Sequence, residues 1–144
     1  MTAGILIGVA LWMPGLRSQR VAAQSGVLTG SYGLTLTKVS SGGDPTSSIL
    51  GVITLDGAGN ATYSVTYAQV DPDPAASTVQ FQAGQQGALK YTVNADGTGT
   101  FTADNGSGGV QKTAFVVTDG GSTLMLLTTA GYGNNLLTGT ARKQ

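Results

Sequence analysis

Few side chains in this chain can carry out chemistry. Its carboxylates are seven aspartates, with no glutamate beside them, and it holds neither histidine nor cysteine. That composition excludes Ser-His-Asp and Cys-His nucleophile systems, zinc held by histidine, and thiol chemistry. Paired aspartates remain the one catalytic option, as in hydrolysis by two carboxylates. However, Asp44, Asp56, Asp71, Asp73, Asp96 and Asp119 fall in expected turns or loops and Asp104 at a strand end, where aspartate serves the backbone. General acid-base work calls for a titratable group that is at least partly buried. The chain therefore reads as a non-enzyme that needs no cofactor.

Two stretches imitate a metal site. In "YTVNADGTGTFTAD", residues 91 to 104, oxygen-bearing side chains recur at Asn94, Asp96, Thr98 and Thr100, yet only one of these is a carboxylate and no bidentate acid closes the loop. A hairpin turning at Asp96-Gly97 accounts for the same residues. "DPD" at 71 to 73 brings two carboxylates together, with Asp44 or Asp104 as candidate third ligands. A solvated loop is the simpler reading, and no metal is expected.

The aromatic residues are the better lead. Tyr32, Tyr63, Tyr67, Tyr91, Phe101 and Phe115, together with Phe81, stand on the apolar side of their segments. Rings of this kind with polar tips can line a pocket for a small hydrophobic molecule. They can equally fill a small barrel with side chains.

The elements that position them repeat every two residues. In "VLTGSYGLTLTK", Leu28, Gly30, Tyr32, Leu34 and Leu36 alternate with Val27, Thr29, Ser31, Gly33, Thr35 and Thr37. "ATYSVTYAQ" places Ala61, Tyr63, Val65 and Tyr67 on one face, and "TVQFQ", "LKYTV" and "GTFTA" continue the pattern. "SILGVITL" at 48 to 55, "AFVV" at 114 to 117 and "LMLL" at 124 to 127 are apolar on both faces, which predicts strands covered twice or facing a partner. "DGAGN" at 56 to 60, "DGTG" at 96 to 99 and "DGGS" at 119 to 122 predict three hairpins whose central residues take positive φ. "DPDPAAS" and "NGSGG" predict a rigid and a flexible loop. With 23 glycines, 10% charged residues and a polar surface of Thr, Ser, Asn and Gln, helices are not expected. The outcome is an all-β chain of about eight to nine antiparallel strands, either a closed up-and-down β-barrel or a sandwich, with the barrel preferred because closure removes exposed edges.

The first residues differ in kind. "AGILIGVALWM", residues 3 to 13, is too short to span a bilayer but suits the core of a signal peptide, and Val21 and Ala23 supply small residues for cleavage after Ala23. Residues 1 to 23 are thus expected to be a leader and 24 to 144 a single domain, secreted or periplasmic, with no stable membrane span. Removing the leader takes Arg17 and Arg20 from the seven basic residues, leaving five against seven aspartates and a net charge of −2. Nucleic acid is not an expected partner of such a chain. Without cysteine, its stability rests on packing.

"GSYGLTL", "YTVNADGTGTFT", "FVVTDGGSTLMLL" and the closing "GTARKQ" resemble a group of exported bacterial β-proteins that share these hairpins across most of residues 27 to 144. In architecture the chain is similar to lipocalin-like barrels, in which an early tryptophan packs against a late arginine. Tyr32 stands at the tryptophan position, and the resemblance implies Arg142 as its partner. Two functions are expected: a module that binds a small hydrophobic ligand through the inward aromatics, and an interaction module that self-associates through the doubly apolar strands.

Overall fold

A computed structural model describes residues 27–40, 46–70, 79–104, 108–131, 133 and 135–144. The expected leader and its cleavage site, the acids Asp44, Asp71 and Asp73, and Tyr132 lie outside the described residues. The described residues form eight strands: β1 (Thr29–Ser40), β2 (Ser47–Asp56), β3 (Asn60–Val70), β4 (Val79–Val93), β5 (Thr98–Asp104), β6 (Val110–Thr118), β7 (Thr123–Ala130) and β8 (Asn135–Lys143). Each pairs antiparallel with its neighbour, and β8 returns to β1, so the sheet closes as an up-and-down barrel rather than a sandwich. Where two strands were expected, "TVQFQ" and "LKYTV" form the single strand β4, which passes Gly84 at an irregularity in its pairing with β3. Gly84 supplies the positive φ that such a bulge uses, so the chain bends without breaking the ladder.

The period-two pattern is the cause of closure. Tyr32, Leu34, Ile49, Ile53, Leu55, Ala61, Val65, Leu124, Leu126, Leu137 and Ala141 all point inward and form one core. The doubly apolar segments are covered on one side only. Ile49, Ile53 and Leu55 are buried while Leu50 is exposed. On β7, Leu124 and Leu126 are buried while Met125 and Leu127 face outward. Around these, threonine and serine are the commonest outward residues, among them Thr35, Thr37, Thr54, Thr62, Ser64 and Thr66, with exposed apolar residues such as Val39, Leu50, Val116 and Leu136 between them. No helix among the described residues is long and apolar enough to cross a membrane.

The three hairpins close by different means. At residues 119 to 121, a single 3-10 turn, Asp119, Gly120 and Gly121 all have positive φ. At the other two sites the aspartate keeps a negative φ and acts through its side chain instead. Asp56 accepts hydrogen bonds from the backbone N–H of Ala58 (2.7 Å) and Asn60 (2.9 Å) and from the Asn60 amide (2.5 Å), and Asp96 accepts from the Thr98 N–H (2.9 Å) and hydroxyl (2.6 Å). Glycine supplies the positive φ, at Gly57, Gly59 and Gly97. Both carboxyls are held below their ordinary range, by the Asn60 amide above all in the first and by the Thr98 hydroxyl above all in the second.

Candidate functional site

The strands carry the six expected aromatic residues to two different levels of the barrel. Tyr91 on β4, Phe101 on β5 and Phe115 on β6 stack across neighbouring strands, with ring centroids 6.1 Å apart for the first pair and 4.7 Å for the second. Gly99 makes room for them: a Cβ there would lie 2.1 Å from the Phe115 ring. The Tyr91 hydroxyl donates to the Leu28 carbonyl (2.6 Å) and accepts from the Gly57 N–H (3.0 Å), joining the segment before β1 to the β2–β3 turn. Tyr32, 1% exposed, donates to the Gly121 carbonyl (2.8 Å) and so ties β1 to the β6–β7 turn. Burial raises the Tyr32 pKa above its ordinary value, with a smaller contribution from Tyr91. These residues plug the barrel at the end where β2–β3, β4–β5 and β6–β7 turn.

Above the plug lies a cavity of about 140 Å³. Its walls are apolar, with Leu34, Leu36, Ile49, Val65, Leu89 and Leu137 among them, and Phe101 is its aromatic base. Tyr63, Tyr67, Gln111 and Thr113 supply the polar groups. Tyr63 is placed by Gly87, because its ring lies where a Cβ at that position would be, 2.5 Å from the ring and hydroxyl. Of the six candidate residues, Tyr63, Tyr67 and Phe101 line this space, while Tyr32, Tyr91 and Phe115 belong to the plug. Gln111 and Thr113 were not singled out from the sequence. Their signal was present in "VQKTAF", where inward Phe115 fixes the parity that turns Thr113 and Gln111 inward as well.

Two expectations are corrected by the geometry. Phe81 is 73% exposed, since β4 turns it to the opposite face from Gln82, which pairs with the cavity-lining Tyr67. Arg142 does not meet Tyr32. It pairs with Gly33 and is exposed, whereas Lys143 lies across from Tyr32. A one-residue offset on a strand changes the face, and this places Arg142 outside the barrel.

Among the described residues that line the cavity there is no carboxylate. Among the described residues, no cluster of three acids could hold a metal ion. What the arrangement can do is enclose an apolar group and meet one polar end with a hydroxyl or amide. No protein family, curated protein or solved structure matches the chain.

Proposed function

We propose that the barrel is an exported, non-enzymatic module that holds one small hydrophobic molecule in the cavity above Phe101. The observation that carries this reading is the apolar cavity of about 140 Å³ with Tyr63, Tyr67, Gln111 and Thr113 as its polar groups. A cavity of about 150 Å³ lined by Leu, Ile and Phe accommodates a benzene-sized molecule, whereas drug-sized ligands occupy about 300–1,000 Å³. The expected ligand is therefore a single ring or a short aliphatic chain with one polar end. Binding follows from burial of apolar surface alone and needs no metal or acid. Export rests on the leader-like residues 1 to 23.

The test compares the full chain with Ala103→Phe, which enlarges a cavity-lining side chain to fill the space. Native mass spectrometry of the unmodified chain is expected to show a retained small mass or, when the cavity has emptied during purification, benzene is expected to raise the thermal midpoint. Ala103→Phe is expected to do neither while keeping the same strand circular dichroism. An unmodified chain with no retained mass and no benzene response overturns the reading.

A second reading, self-association through the barrel wall, is supported by Val116 paired with Met125 and flanked by Leu127, all on the outer face and exposed. It predicts that Leu127→Lys disperses an oligomer that the unmodified chain forms.

A further inference from the structure

A polar row borders the cavity on the side away from the plug. The strand registers set Leu36, Ile49 and Tyr67 side by side across β1, β2 and β3, and all three line the cavity. Two residues farther from the plug, the same registers align Lys38, Ser47 and Gln69. Residues two apart on a strand share a face, so this row also starts on the inner side of the sheet. Lys38 lies opposite Leu137, another cavity residue, which agrees with that placement. A step of two residues is about 7 Å along a strand. The row is thus a rim one level above an apolar chamber.

The members of this rim are exceptional in their burial. Lys38 is half-buried, whereas every other described lysine, arginine and aspartate is exposed. Ser47, 3% exposed, is the one buried polar residue among those described, and Gln69 is half-buried beside it. No described acid shares the rim. Asp104, the aspartate at this end of the barrel, follows the cavity-lining Ala103 and is therefore on the outer face. Drawing an ammonium out of water with no anion beside it costs free energy. We propose that Lys38, with Ser47 and Gln69 next to it, receives the carboxylate of a short amphiphilic acid whose hydrocarbon part fills the cavity. The proposal rests on the function given above and names the ligand class of that site. The ammonium, the hydroxyl and the amide are all hydrogen-bond donors, and a carboxylate only accepts. Hydrogen bonds from a cation to a carboxylate are roughly twice as strong as neutral ones. The lysine methylenes can cover the apolar rim while the charged head stays at the mouth. Among the described residues Lys38 is the rim's one charge, which matches a monoanion and repels an amine.

Calorimetric titration of the full chain at neutral pH and low salt tests this with three probes of one chain length. Hexanoate is expected to bind about tenfold tighter than 1-hexanol, the scale of a charge-assisted hydrogen bond, and hexylamine is expected to bind weakest. Lys38→Met is expected to bind the acid and the alcohol alike, and Lys38→Arg, which keeps the cation, to retain the preference for the acid. Benzene has no head group and so separates this proposal from the reading it rests on. A benzene response with hexanoate no tighter than 1-hexanol overturns the assignment of Lys38 and leaves the cavity reading in place. A preference for the acid that persists undiminished in Lys38→Met has the same consequence. No response to benzene, hexanoate or 1-hexanol overturns both.

Discussion

The two ends of this barrel are built from the same alternating strands and differ in what fills them. At the short-turn end, Tyr32, Tyr91, Phe101, Phe115, Leu55 and Leu124 are all buried, and two tyrosine hydroxyls reach across to backbone groups of other elements. At the other end, from which the connections 41–46, 71–78, 105–109 and 131–134 run, the interior is a cavity, and β4 leaves the company of β5. Closure of the sheet is thus not what decides where the barrel is solid. The decision lies in side-chain volume: phenylalanine and tyrosine at 91, 101 and 115 fill the first level, whereas leucine, isoleucine and valine at 36, 49, 65 and 137 leave the second underfilled. Dense packing and open interior space are thus separated along the barrel axis.

The largest effect should come from truncating the plug. Phe115→Ala removes a ring that is 2% exposed and that packs on Phe101, and it is expected to cost about 3–5 kcal/mol, the range for a buried Phe. Leu36→Ala, in the partly buried cavity wall, is expected to cost about 2 kcal/mol or less because the lost atoms already border empty space. Urea denaturation midpoints of the two variants measure the contrast. Equal losses would mean that both ends contribute alike, and the division would have to be given up.

Much of this was legible from the residues. The alternation of Leu28, Tyr32, Leu34 and Leu36 with threonines prescribes a half-buried strand, and repeating it with Asp-Gly turns leaves few architectures other than a closed meander. What the alternation does not specify is depth along the axis. Tyr67 and Tyr91 share the same inward parity, yet one lines the cavity and the other is tied to Leu28, because depth depends on the stagger between strands. Phe81 illustrates the second gap. Its segment alternates like any other, but the bulge at Gly84 reverses the parity for residues before it, and "QFQAGQQG" offers two glycines, 84 and 87, without saying which of them carries the reversal. The aspartates show a third. Asp-Gly at 96 and 97 was readable as a turn, but only the observed geometry shows that the carboxylate, not a positive φ at Asp96, closes it.

A smaller effect is expected from Tyr91→Phe, which keeps the ring stack and removes only the hydroxyl. The Leu28 carbonyl then loses its donor and the Gly57 N–H its acceptor. Leaving such groups without partners is expected to lower stability by about 1–3 kcal/mol. Tyr63→Phe, at the cavity level, is the matched control and should change the melting temperature less. A Tyr63→Phe loss as large as that of Tyr91→Phe would show that the cavity hydroxyls are structural and would shift the comparison toward two equally cemented ends.

The smallest effect concerns the turns beneath the plug. Asp56 and Asp96 are fully solvent-exposed, and their carboxyls are held below the ordinary 3.8 by hydrogen bonds that only the folded turn supplies. A group whose folded pKa is lowered stabilises the fold above its unfolded pKa, and that stabilisation fades as the pH falls toward and through the folded value. Acidification below about pH 4 should therefore loosen these two turns while the aromatic plug above them stays intact. Amide exchange tells the two apart: the N–H groups of Ala58, Asn60 and Thr98, which donate to the carboxylates, should lose protection relative to that of Phe115. Asp96→Asn should remove the acid dependence at Thr98 and leave that at Asn60 in place. If both sites lose protection together with the plug, the turns and the plug open as one unit, and the short-turn end has to be treated as a single cooperative element.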